Sequence, residues 1–242
     1  MTLPGREPRG CTACSPASAS PLTFAVEFEP VRSVRRDAVV AHEAVARGAA
    51  GLRGGALRAA LPTGALPAFE QRCRVEAIEQ AVRLGIGGDL GIDFSPDTVA
   101  DPERCLRGTL AALDAHGIAH ERMVLEITEA EPAHDDARLL EVVSACRRLG
   151  FRIATDDFGC GHSGLNQLAR LQPDWIKLDR RLVQGVHERP ARQAVLRGVL
   201  TVCRELGIEP VALGVDDAGE VAWLREAGVD LFQGACADPR GG

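Results

Sequence analysis

Two adjacent carboxylates, Asp156 and Asp157, stand where a short apolar run gives way to small residues, in Ile153-Ala-Thr-Asp-Asp-Phe-Gly-Cys-Gly-His-Ser-Gly164. Neighbouring side chains on a continuing strand point to opposite faces. The pair can therefore converge only if the strand ends there and the chain turns. Phe158-Gly159 and Gly161 supply the turn. The alternative is an Asp-rich turn that caps the next helix, and this stretch alone does not separate the two. Other polar residues recur at comparable places: Glu43, Asp93, Glu126, Lys177, Asp179 and Gln233. Carboxylates packed together repel, and a divalent cation relieves the repulsion. Oxygen ligands select magnesium, manganese or calcium over zinc. Asp156 and Asp157 could bridge two such ions, an arrangement suited to attack on a phosphodiester.

The elements that must position these residues alternate. Strands are expected at 24–29, 38–43, 90–94, 123–127, 152–156, 175–178, 211–215 and 229–233. Residues 30–37 read as a turn too short to hold a crossover helix, so the first two strands should be antiparallel. Helical spacing covers 69–84, 101–115, 136–149, 163–171, 192–206 and 218–227, while 48–67 reads as a loop with a weak helix inside. Strands alternating with helices at this spacing give an α/β fold, a TIM-like (β/α)8 barrel, with an open doubly wound sheet as the competing topology. Its C-terminal face would gather the acidic residues at one mouth.

The chain has 242 residues, 45% of them hydrophobic, enough for one large domain or two small ones. Its net charge of −6 and lack of a Lys/Arg block argue against a nucleic-acid duplex as partner. No stretch has the length of a signal peptide or membrane span, so a cytoplasmic location is expected. Cys73, Cys105, Cys146 and Cys203 fall at apolar helix positions, as reduced core residues would. Residues 1–21 are expected to be a flexible tail carrying Cys11 and Cys14 as a CxxC, half of a zinc site at most, and residues 22–242 the barrel domain.

His42-Glu-Ala-Val-Ala-Arg47 resembles the EALxR signature of EAL domains, the cyclic di-GMP phosphodiesterase family. Leu125-Glu-Ile-Thr-Glu129, Asp156-Asp-Phe-Gly-Cys-Gly-His-Ser163, Ile176-Lys-Leu-Asp179 and Gln233-Gly234 with Pro239 resemble its further motifs, in family order. The resemblance covers about residues 22–239 and implies a barrel with an antiparallel first strand. It implies that Glu43, Glu126 and Asp156 bind one magnesium or manganese ion and Asp157 a second. Asp93 stands where the family usually has a metal-binding Asn. Arg47 would contact a substrate phosphate, Lys177 would lie near the attacking water, Glu129 would support the loop after Asp157, and Gln233 would line the site.

The chain also departs from that pattern. Where the family reads AEGVET, this sequence reads Ala212-Leu-Gly-Val-Asp-Asp217, so Leu213 occupies the place of the family's general base. Leucine neither accepts a proton nor binds a cation, and a positioned base contributes about 10²–10⁴ in rate. Asp216 replaces a second Glu. Glu29 stands where the family often has a Gln that approaches the dinucleotide. The closing helix is expected to be missing or short, which bears on any homodimer it supports. The expected function is a degenerate EAL domain that binds cyclic di-GMP or a regulatory protein partner, with one metal ion or none. A working phosphodiesterase that opens the ring to the linear dinucleotide is the alternative, and a protein-interaction module without nucleotide binding is a third possibility.

Overall fold

The protein is described by a computed structural model covering residues 23–62, 64–128, 136–161 and 164–234. Eight strands close a barrel in sequence order. They are β1 (Phe24–Ser33), β2 (Ala38–Gly48), β3 (Asp89–Asp93), β4 (Met123–Thr128), β5 (Arg152–Phe158), β6 (Trp175–Leu178), β7 (Glu209–Leu213) and β8 (Leu231–Gln233). β1 runs antiparallel to both β2 and β8, and every other pairing is parallel. The expected α/β barrel with a reversed first strand is therefore the observed fold.

Helices cover the outside: α1 (Gly54–Ala59), α2 (Leu66–Arg83), α3 (Pro102–Cys105), α4 (Arg107–Ala115), α5 (Asp136–Arg148), α6 (Gly164–Leu171), α7 (Arg180–Val183), α8 (Pro190–Leu206) and α9 (Ala218–Glu226). Their apolar stripes make two outer cores. Phe69, Cys73, Ile78, Leu113, Val142 and Cys146 pack under the first half of the barrel, and Leu196, Leu200, Cys203 and Leu224 under the second. The four helical cysteines are buried, and burial pushes the thiols of Cys73 and Cys146 up to about 12, so they act as small hydrophobes.

Several boundaries differ from the sequence reading. Residues 30–33 belong to β1 rather than to a turn, because Arg32 and Ser33 must pair with Phe232 and Leu231 to close the barrel. The helix expected over 101–115 breaks at Leu106, which ends α3, begins α4 and is fully buried. β7 starts and stops two residues earlier than expected, so Leu213 is its last residue. β8 is shorter, Leu231–Gln233. α7 was not anticipated; four residues carry no period, and only the Asp179 side chain, accepting from the Arg181 N–H, marks its start. The Cys11/Cys14 tail and any closing helix lie outside the described residues. No described helix is long and apolar enough to cross a membrane.

Candidate functional site

One apolar layer fills the barrel: Val31, Ala41, Val124, Ala154, Trp175, Val211 and Leu231. Strand side chains repeat every second residue on a face. The next inward position toward the C-terminal mouth is therefore fixed on each strand. It is Glu29 on β1, Glu43 on β2, Asp93 (after Gly91) on β3, Glu126 on β4, Asp156 on β5, Lys177 on β6, Leu213 on β7 and Gln233 on β8. Alternation alone carries Glu29, Glu43, Asp93, Glu126, Asp156, Lys177 and Gln233 to one mouth. Leu213 is the apolar exception in that ring.

Lys177 stands at its centre with 2% of its side chain exposed. Its Nζ donates to Glu43 Oε2 at 2.5 Å and Glu126 Oε2 at 2.6 Å, and lies 3.5 Å from Asp156 Oδ1. Burial opposes its charge, but Glu126, Glu43 and Asp156 outweigh that and hold the ammonium well above its ordinary range. Glu43 is held below the usual carboxylate range because Lys177 and the Gln233 amide outweigh its burial. One lysine cannot satisfy every carboxylate. Burial pushes Glu126 well up, with Glu43 and Asp156 adding to the shift. Asp93 keeps 43% of its side-chain surface, yet its place inside the mouth, with Glu43 and Asp156 nearby, pushes it up to about 7 against the pull of Arg58 at 3.5 Å.

This excess negative charge fits a hard cation. Ligand oxygens of Glu43, Asp93 and Glu126 all lie within 4.8 Å of one another. Asp156 Oδ1 is buried without a hydrogen-bond partner, although charged Lys177 is near. Gly91 makes the cluster possible, since a Cβ there would meet Glu126 Oε1 at 2.1 Å. Sequence reasoning passed over Gly91; a glycine inside a strand, where the backbone must be approached closely, was the available signal.

Asp156 and Asp157 meet the mouth differently from the expectation. β5 does not end at them; it continues to Phe158. Its register against β6 shifts between Thr155 and Phe158, and Asp157 takes φ of +53°. A bulge with one left-handed residue, rather than a terminal turn, aims both carboxylates. Burial, then Asp156 and Asp179, push Asp157 up to about 6. It does not join the three-carboxylate group.

Around this centre the rim is cross-linked. Gln233 Nε2 donates to Glu43 at 2.8 Å and to Glu29 at 3.1 Å, bridging two carboxylates that face each other across β1 and β2. Arg47 pairs with Glu27, and Arg53 binds Glu27 at 2.6 Å and Glu29 at 3.0 Å. Neither Glu27, Arg53 nor Arg58 was singled out from the sequence. Period-2 spacing with Glu29 would have flagged Glu27, but the two arginines sit in or after a Gly-rich loop with no pattern. Leu213 packs against the apolar interior layer. Asp216 is engaged by Arg180 at 2.5 Å. Glu129 lies outside the described residues.

The sequence model of the EAL domain matches residues 18–239. The chain belongs to the EAL domain family. A standalone versatile EAL protein from Vibrio cholerae O395, solved in its c-di-GMP-bound form, superposes with a TM-score of 0.83 at 36% identity, over 88% of this chain and 90% of that one. The manganese and cyclic di-GMP complex of Klebsiella pneumoniae BlrP1 gives 0.80 at 31% identity, over 91% of this chain and 56% of that one. Among curated sequences, the blue light- and temperature-regulated antirepressor BluF of Escherichia coli K12 is 30% identical over 71% of this EAL chain and 43% of its own length. The chain spans less than half the length of the curated relatives it matches first.

Proposed function

We propose that this EAL domain serves cyclic di-GMP signalling by binding the dinucleotide at the barrel mouth while hydrolysing it slowly or not at all. The observation that carries the reading is Leu213. It occupies the inward position at the end of β7, where the family places its general base, and every other such position at the mouth is polar. The nearest substitute in sequence, Asp216, is committed to Arg180.

Glu43, Asp93, Glu126 and Asp156 would hold a magnesium or manganese ion, with Asp157 available to a second. When bound, the ion would supply positive charge to a phosphodiester and polarise a water. The chain's own groups would do the rest. Lys177 would keep Glu43 ionised and offer a donor beside the reacting phosphate. Gln233 would fix Glu43 and Glu29 relative to each other. Arg47 would meet a phosphate oxygen. No described side chain at the β7 position can take the proton from the attacking water, and that loss corresponds to about 10²–10⁴ in rate.

An active phosphodiesterase remains the alternative, supported by the oxygen ligands and lysine the mouth retains. A purely protein-directed role is favoured by one observation, the likeness to an antirepressor. Calorimetric titration of cyclic di-GMP with magnesium or manganese, followed by chromatography of the cell contents, separates the three. Heat with intact dinucleotide is the expected result. Linear product would establish the enzyme, and no heat would point to a protein partner.

A further inference from the structure

The first two strands outrun their barrel neighbours. β2 pairs with β3 from Ala41 to Ala44 only, and β1 pairs with β8 only at Arg32 and Ser33. The β1–β2 ladder nevertheless continues to Phe24 and Gly48. Its free ends form a two-stranded ribbon on the mouth side. One face of the ribbon carries Phe24, Val26, Phe28, Ala44 and Ala46 into the core beside α2, with the Phe24 and Phe69 rings 5.1 Å apart. Alternation then puts Glu27, Glu29, Glu43 and Arg47 together on the other face. That face belongs to the site, because Glu29 and Glu43 both accept from Gln233.

On it, one carboxylate oxygen is held by two guanidinium groups. Glu27 Oε2 accepts from Arg47 and from Arg53 at 2.6 Å, while the other Arg53 nitrogen donates to Glu29 at 3.0 Å. Arg47 Nε is buried and has no hydrogen-bond partner. Forked guanidinium groups hold carboxylate and phosphate oxygens by the same geometry. The pairs do little for the fold, since half-exposed ion pairs contribute little and the ribbon is anchored by its apolar face.

We propose that Arg53 extends the phosphate contact expected of Arg47 and that Glu27 is the built-in competitor for both, which a phosphodiester ligand displaces on entry. This rests on the reading that the mouth receives a cyclic dinucleotide, and it adds Arg53 and Glu27 as determinants of which anions are admitted. A ligand with phosphate oxygens can replace the carboxylate. A neutral nucleoside cannot, and meets a mouth whose cations are already taken. Binding should weaken with salt, as it does wherever charge pairs are exchanged at a rim.

The test is titration of cyclic di-GMP, with calcium present, into the full chain and its Glu27→Gln, Arg53→Gln and Glu27→Gln/Arg53→Gln variants, each first shown by thermal unfolding to be folded. Glu27→Gln should tighten binding by about fivefold, the scale of one half-exposed ion pair. Arg53→Gln should weaken it, and should still weaken it when Glu27 is already Gln. A variant that binds when the parent shows no heat would support the competitor most strongly. Measurable binding with the same affinity in parent and Glu27→Gln would overturn this inference and leave the dinucleotide reading intact. No binding by any of the four would overturn both.

Discussion

Along β5, Ala154 faces the barrel interior and Asp156 follows it toward the mouth; along β7, Val211 faces the interior and Leu213 follows it. The backbone geometry is the same and the chemistry is opposite. Asp156 joins an arc from β2 to β6 in which Glu43, Asp93 and Glu126 crowd around Lys177. Leu213 extends the apolar interior upward at the rim. A barrel specifies where a side chain goes through its period of two and says nothing of what it is. Charge crowding on the β2–β6 arc costs stability, and a bound cation would offset that cost. β7 carries no such cost.

The largest expected effect tests whether the arc is held by its own ion. Lys177→Met leaves buried Glu126 and Glu43 without a counter-charge and should lower unfolding free energy by about 3–5 kcal/mol in urea titrations. Added manganese should recover part of the loss. A variant as stable as its parent would mean that the carboxylates are already neutral. Next, Gly91→Ala forces a methyl into Glu126 Oε1, which Lys177 prevents from moving aside. About 1–3 kcal/mol should be lost, along with calorimetrically measured manganese affinity, whereas an arc with slack would absorb the methyl.

Asp157→Gly acts in the other direction. The left-handed backbone at φ +53° suits glycine better than aspartate. Stability should rise by about 1 kcal/mol while any second-ion binding is lost. Thermal unfolding and metal titration on one sample would read both effects.

Most of the arc was legible in the sequence because strand termini and motif spacing locate Glu43, Glu126, Asp156 and Lys177 without coordinates. Leu213 was legible for the same reason, as a mismatch within a recognisable motif. What could not be read was how Asp156 and Asp157 share the mouth. A bulge costs one residue of register and leaves no mark in composition. The turn expected at residues 30–33 failed for a related reason, since Pro30 suggests an end to pairing whereas barrel closure demands that β1 continue to β8. The pairings of Arg53 and Arg58 depend on a loop path that no periodicity encodes.

The smallest effect contrasts the mouth with the opposite end of the barrel. There Asp230 accepts from Ser33 Oγ and the Arg35 N–H, each at 2.8 Å. Those bonds and the Arg35 charge outweigh burial and hold it below its ordinary 3.8. A carboxylate with a lowered folded-state value stabilises fully above the unfolded value, and the stabilisation is lost as pH falls through the folded one. Asp230→Asn should therefore be less stable near neutrality and show a flatter acid limb below about pH 4. An unchanged acid limb would remove Asp230 from the account. Asp93, pushed up to about 7, has the opposite sign: metal-free, its ionisation opposes folding as pH rises through that value.

On the proposed function, Leu213 silences an otherwise polar mouth. The direct measurement is the initial rate of cyclic di-GMP linearisation, with manganese, by the parent chain, Leu213→Glu and Leu213→Glu/Asp156→Ala. Restoring the carboxylate should raise the rate by at least about 10²-fold, and the second substitution should abolish the gain. A parent chain as fast as Leu213→Glu, or a folded Leu213→Glu that binds the dinucleotide and gains nothing, would contradict the account.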